Sequence, residues 1–462
     1  MMKYIKILVL ALAIVLQLSC EGFVEIEIPD DRIINENVFS REKTANSAVK
    51  GIYNELYQAK FSSGFQTSIT VLSALSADNL KATVTTENLL EFEENEIFIK
   101  NSYNLGIWSS AYNIIYMSNA VIAGLTGNNN ISPELNEKLT GEARFIRAFT
   151  YYYLVNLYGD VPLILRTGFE ENSKKIRTST DEVYHQIIED LEIATQQLGN
   201  TYENGERLRA NRFTAMALLA RVYLNLGEWE LAESYSTEII DASETFELLP
   251  HEEVFLANSK EAIWQISPLE GGSSRSNTQE GALFILLDDP GRVALTEDLI
   301  ESFESNDARL DQWIGLLETE NESYYFPYKY KVKNTTDGNL EYSMVMRLGE
   351  QYLIRAEARA EMGKLAESIS DLNEIRQRSD LNPLDLDDQS ITSDKVINLI
   401  LEERRKELFT EWGHRWLDLK RKGEAGPVLS SKKPLWDNTD IFYPIPEDEI
   451  LKNPNLTQNP GY

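Results

Sequence analysis

Residues 211 to 241 hold the stretch RFTAMALLARVYLNLGEWELAESYSTEII, and its spacing leaves few architectures open. Leu219, Val222, Tyr223 and Leu226 recur at i, i+3, i+4 and i+7, so they share one helical face. Ala217 and Ala220 are small enough to admit a second backbone. Gly227 ends the helix, because glycine takes the left-handed C′ conformation at little steric cost. A second helix follows, with Ala232, Tyr235 and Ile239 on its inner side. Two such helices around a glycine turn form an αα-hairpin whose apolar faces need further helices to cover them.

The same unit returns from Gln351, as QYLIRAEARAEMGKLAESISDLNEIRQR. Gly363 takes the place of Gly227, and Leu231-Ala232-Glu233-Ser234 recurs as Leu365-Ala366-Glu367-Ser368. Ala356 and Ala360 face inward again, and Ile369, Leu372 and Ile375 line the second helix. Both units are similar to tetratricopeptide-type hairpins. More helices are predicted around them. Ser40 to Lys60 carries Ala48, Ile52, Leu56 and Ala59 in near-helical period. Trp108, Tyr112, Ile115 and Asn119 form another stripe. Ser132-Pro133 opens a helix that buries Phe145, Phe149, Tyr152 and Val155 and stops at Gly159 and Pro162. Ser179 and Glu182 form a capping box, and Val396 to Lys422 reads as one last helix.

The predicted fold is mainly α: tetratricopeptide-like helical hairpin repeats with loop-rich insertions containing short strands. The scaffold takes about 40–60, 105–242 and 345–422. Insertions fall at about 61–104 and 243–344, the first read as irregular or short-stranded surface, the second holding a strand at Ala262–Ser267 and a Gly/Ser/Asn loop at Glu270–Thr278. Leu381 to Ser393 reads as a Pro/Asp loop. The tail, 423–462, is expected to lie over the surface.

At the other end, Lys3 and Lys6 precede an apolar core from Ile7 to Leu16, too short for an anchor. Gln17-Leu18-Ser19 then leads to Cys20, the single cysteine. This is the arrangement of a bacterial lipoprotein leader: 1–19 is expected to be removed as signal peptide, with lipid on Cys20 at the head of a 20–462 mature chain. Glu21, Glu25, Glu27, Asp30 and Asp31 follow, an acidic tether that resembles the surface-export signal of Bacteroidetes lipoproteins. The net charge is −30, and loss of Lys3 and Lys6 makes it more negative, which argues against nucleic acid and against an anionic membrane surface as partners. One cysteine excludes a disulfide framework. No other apolar run approaches a membrane span, so attachment is expected through the lipid.

Three long motifs carry a resemblance. The first is Gly141-Glu142-Ala143-Arg144-Phe145, with Arg147-Ala148-Phe149 and Leu157-Tyr158-Gly159-Asp160-Val161-Pro162. The second runs from Glu403-Arg404-Arg405-Lys406-Glu407-Leu408 through Glu411-Trp412-Gly413-His414-Arg415-Trp416 to Asp418-Leu419. The third is Pro444-Ile445-Pro446, Glu449-Ile450 and Asn453 to Tyr462. In this order they resemble the SusD/RagB family of outer-membrane nutrient-binding lipoproteins, over Cys20 to Tyr462. The resemblance implies a cell-surface protein that holds a nutrient and acts as the lid of a SusC-like, TonB-dependent transporter. It implies an oligosaccharide ligand for most members and a peptide for some. A bare helical scaffold without a small ligand is the other reading, and the large insertions argue against it.

The charged motif is expected to be structural, with Arg404 pairing Glu407 and Arg415 pairing Asp418 at i+3. Tyr151, Tyr152 and Tyr153 are expected in helix contacts and Trp264 in the core. Sugars present apolar C–H faces to aromatic rings and hydroxyls to polar side chains. Tyr324, Tyr325 and Tyr328 in the second insertion are the candidate rings, and Asp78, Asn79 and Lys81, with Tyr103, the candidate polar partners. His185, His251 and His414 are isolated, and neither HExxH, a Gly-rich phosphate loop nor a GxSxG elbow occurs. No catalytic residue, metal site or cofactor is expected.

Overall fold

The computed structural model describes residues 38–267, 277–334, 338–385 and 392–462. The leader, Cys20, the acidic tether and most of the Glu270–Thr278 loop lie outside the described residues. Ten helices make the scaffold: α1 Glu42–Gln58, α2 Ser102–Leu125, α3 Pro133–Tyr158, α4 Thr180–Gln197 and α5 Arg212–Leu226, then α6 Trp229–Ile240, α7 Leu348–Glu361, α8 Leu365–Arg378, α9 Ser393–Glu407 and α10 His414–Arg421. Each packs against the next along the whole series. The two repeat hairpins therefore stack directly, α6 on α7, although residues 241–347 lie between them in sequence.

Local chemistry sets these elements. Asn211 caps α5 in a reciprocal box with Thr214, and Gly227 closes it at φ +76°. Gly363 turns α7 into α8 at the same φ. Ala217, Ala220, Ala356 and Ala360 are fully buried, and Tyr223 stacks on Tyr235 with centroids 5.7 Å apart. Leu226 departs from expectation: it sits on the last turn before Gly227 and is 40 % exposed, so the apolar stripe ends one turn early. Tyr151, Tyr152, Tyr153 and Trp264 are buried as expected.

Three expectations are corrected. The 61–104 stretch is no loose surface, because the helix Ile69–Ser76 is buried at every residue. The Ser62 and Ser76 hydroxyls find partners inside the fold, the latter in a 3.0 Å bond with Tyr443 Oη, which offsets part of the polarity that made the segment look exposed. The expected helix over 396–422 is two helices, because Thr410, Trp412 and Gly413 adopt φ of 52°, 44° and 72°. That break swings Trp412 into a cluster with Phe61, Phe149 and Tyr153 and lets its indole donate to the Met344 carbonyl at 2.8 Å. The tail does not merely drape: Tyr443 and Ile445 are fully buried, and Tyr443 packs edge-on against Phe92.

Among the described residues, six strands form three antiparallel pairs. β1 Leu80–Ala82 pairs with β3 Val293–Leu295, β2 Ala262–Ile266 with β6 Ser343–Arg347, and β4 Ile314–Glu318 with β5 Ser323–Pro327. The β2–β6 pair closes the neck of the second insertion just before α7.

Candidate ligand-binding face

The β1–β3 ladder joins the two insertions, with Lys81 opposite Ala294 and the Thr83 amide donating to the Arg292 carbonyl at 3.0 Å. β3 also packs on β5, so the tyrosine hairpin stands beside the same ladder.

Under it lies a charged frame. Arg405 donates to Asn79 Oδ1 at 3.0 Å and pairs with Asp78 and Asp298 at 3.1 and 2.6 Å. Arg415 reaches Asp78 at 2.8 Å, and Lys432 bridges Asp78 and Asp298 at 2.8 and 2.7 Å. Burial alone would raise the Asp78 pKa. The Arg415 hydrogen bond and the Arg405 charge outweigh it and hold the carboxyl well below the usual range. Asp78 and Asn79 are 4 % and 1 % exposed and their polar groups are engaged in this frame, although Asp78 also lines the larger cavity of this face.

The i+3 pairs expected in the motif are also replaced. Arg404 takes Asp418 at 2.8 Å, Arg415 takes Asp78, and Glu407 meets Arg309 and Arg347. Buried guanidiniums satisfy more donors through bidentate contacts across elements than through an i+3 neighbour.

Above the frame the remaining candidates gather. Lys81 pairs with Glu297 at 2.7 Å and lies 4.0 Å from Glu322, which in turn accepts the Tyr324 hydroxyl at 2.8 Å. Tyr324 and Tyr328 pack around Ile285, Leu286 and Phe326, whereas Tyr325 points to the other side of β5 and leans on the main core. The Lys331 ammonium sits 4.0 Å over the Tyr328 ring and covers one of its faces. Tyr103 is half-buried, its hydroxyl accepting from Gln66 at 3.2 Å.

Two cavities open on this face. The larger, about 650 Å³, takes its floor from Ala77, Leu80, Ala82 and Leu90 and its rim from Glu94 and Leu435; no aromatic ring lines it. The smaller, about 400 Å³, begins where the ladder ends and is lined by Phe65, Leu286, Leu287, Asp288, Asp289 and Arg292. Leu286 belongs also to the Tyr324 cluster, so apolar side chains and half-exposed rings border carboxylates and a guanidinium in one hollow. Such a lining meets the C–H faces and hydroxyls of a sugar. Leu287, Asp288, Asp289 and Arg292 were not singled out from the sequence. The signal was the Asp288-Asp289-Pro290-Gly291 turn between two apolar runs, where Asp289 Oδ1 accepts the Gly291 amide at 2.8 Å.

Among the described residues, no three His, Cys, Asp or Glu side chains gather as a metal site. Burial draws His251 and His414 down to a pKa of about 4. Among the same residues, no helix is long and apolar enough to cross a membrane.

Fold and face define a class: a stack of tetratricopeptide-like helices with two joined insertions. Residues 27–224 match a family model described as starch-binding associating with outer membrane, and residues 315–462 match that of the SusD family. The chain belongs to the SusD/RagB family. It is 25 % identical to SusD-like protein P25 of Formosa agariphila over 100 % of both chains. It is 25 % identical to the starch-binding protein SusD of Bacteroides thetaiotaomicron, over 70 % of this chain and 72 % of that one. A laminarin-binding SusD-like protein of known structure shares the fold with a TM-score of 0.77 at 23 % identity, covering 91 % of this chain and 100 % of that one.

Proposed function

We propose that this protein binds a glycan at the cell surface of an outer membrane, held there by lipid on Cys20, and passes it to a SusC-like, TonB-dependent transporter that it covers as a lid. It acts by binding and not by catalysis. The observation that carries this reading is the smaller cavity, where Phe65 and the Tyr324 cluster border Asp288, Asp289 and Arg292. The starch- and laminarin-binding names of its relatives support a glycan as ligand. Tyr324 is the residue expected to stack on a sugar ring. Tyr328 packs in the same cluster as Tyr324, beside Leu286 of the hollow, whereas Tyr325 leans on the main core.

The test is affinity electrophoresis and calorimetry of the purified protein against polysaccharides and peptides, beside Tyr324→Ala and Tyr325→Ala. Binding of one glycan class, weakened mainly by Tyr324→Ala, is the expected result. Binding of peptides alone would overturn the glycan reading. Co-purification with a TonB-dependent barrel tests the partner, and a monomeric chain in mild detergent extracts would contradict it.

A further inference from the structure

We propose that Glu280 is a positioning residue of the smaller hollow: its carboxyl holds the wall in place only while it carries a proton, so the protein releases its glycan when that proton leaves. The inference rests on the glycan reading above. Glu280 is 3 % exposed and does not itself line the hollow. It sits on the helix Gln279–Phe284, whose Ala282 and Leu283 form part of the wall and which leads directly into Leu286 and Leu287. Phe65 lines the hollow from the first insertion, and Gly64 before it lies hard against the Glu280 carboxyl. A Cβ built on Gly64 would stand 2.1 Å from Glu280 Cδ. On Gly281 it would stand 2.5 Å from the Val332 carbonyl oxygen. The helix is thus wedged between two backbones, with the carboxyl in the closer contact.

That carboxyl is poorly supplied with donors. Ser343 Oγ donates to Oε1, while Oε2 has no hydrogen-bond partner. Among the described residues, no cation pairs with it. The Lys331 ammonium donates to the Gln312 and Tyr328 carbonyls, Lys333 to the Ile285 carbonyl, and Lys329 pairs with Glu411. The groups that face it are Glu341, whose oxygens accept the Lys331 and Val332 amides at 2.6 and 3.2 Å, and Tyr330, whose hydroxyl accepts the Met344 amide at 2.8 Å. Burial, with the Glu341 charge adding to it, keeps the proton on Glu280 up to about pH 7. An ionised carboxylate needs several donors, and this one has a single hydroxyl. The tight contact with Gly64 leaves no room for water, so the charge is relieved by the helix moving outward. Ala282, Leu283 and Leu286 leave the hollow with it.

The experiment is calorimetry of the purified protein with laminarin and with starch, uncharged polymers, at pH 6 and pH 8 in buffers of different ionisation heat. If the protonated form alone binds, apparent affinity follows its fraction, and binding at pH 8 is expected to be about tenfold weaker than at pH 6. Binding at pH 8 should take up about one proton. Glu280→Gln keeps an uncharged side chain of the same shape and is expected to bind equally at both pH values without proton uptake. Circular dichroism should show the helices intact at pH 8. Equal binding by the unaltered protein at both pH values, without proton uptake, would overturn the proposal and leave the glycan reading standing. So would a pH dependence that survives in Glu280→Gln, or a loss of helical signal at pH 8, since another group or the whole fold would then be responsible. No binding of either polymer at pH 6 would overturn the glycan reading itself, and this inference with it.

Discussion

Where the second insertion meets the repeat helices, Arg347 pairs with Glu261, Glu407 and Glu411 at 2.8, 2.6 and 2.8 Å, all four side chains buried. Arg309 beside it holds Asp307, Glu403 and Glu407 at 2.7, 2.6 and 3.1 Å. On the open face, Asp288, Asp289 and Arg292 are exposed and make no ion pair among the described residues. Arginine and carboxylate thus appear in both regions with opposite consequences. At the seam these charges are paired, which fastens the insertion to the scaffold and leaves only a few buried atoms, Arg378 Nε among them, without a hydrogen-bond partner. On the face, unmatched groups beside half-exposed rings keep that capacity. Charge in a motif identifies a binding site only when its hydrogen bonds are not already made.

The largest effect is expected from breaking the seam. Arg347→Met removes the cation shared by three buried carboxylates, which keep Arg378, Arg309 and Lys329 as their remaining partners, and removing one partner of a buried pair costs about 3–5 kcal/mol. Urea unfolding should show a loss of that size; a loss below about 1 kcal/mol would mean that the seam does not fasten the insertion.

Next comes Glu280, which lies between the two regions on the helix Gln279–Phe284. Ser343 donates to its carboxylate, and burial pushes its pKa up to about 7 from an ordinary 4.5. The folded state therefore holds a proton that the unfolded chain releases. Stability is expected to fall as pH rises from about 4.5 to about 7, by roughly 3 kcal/mol, and then to level off. Glu280→Gln should remove this part of the slope in denaturation curves taken across that range. An unchanged slope would show that Glu280 ionises normally in the fold.

A smaller effect is expected on the face. Tyr324→Ala should weaken glycan binding by about tenfold, the scale of one aromatic contact, with the thermal midpoint nearly unmoved. The smallest belongs to Lys81→Met. Its pair with Glu297 is partly exposed, so a stability change under about 1 kcal/mol is expected from the same unfolding assay.

These regions were not equally legible in the sequence. The stacked hairpins were, because Ala217, Val222, Ala356 and Leu372 repeat at helical spacing and Gly227 and Gly363 mark the turns. The seam was legible only as charge. Nothing local shows that Asp78 answers to Arg405 and Arg415, which lie more than 300 positions away. The β1–β3 ladder was hidden for another reason: three-residue strands are too short to display a period of two. Residue types alone suggested Lys81 and Tyr324 as partners for one ligand; the ladder that brings their segments together was not legible. The turn at Asp288 to Gly291 could be read as a turn, but not as the wall of a hollow, since Phe65 and Leu286 reach it through the fold.

The most direct measurement is hydrogen exchange of the purified protein with and without a saturating glycan identified by the binding panel. Slower exchange confined to residues 282–292 and 316–328, with residues 403–415 unchanged, is the result expected if the ligand sits on the open face. Slower exchange at residues 77–94 and 432–435 instead, around the larger cavity, would contradict the assignment of the site.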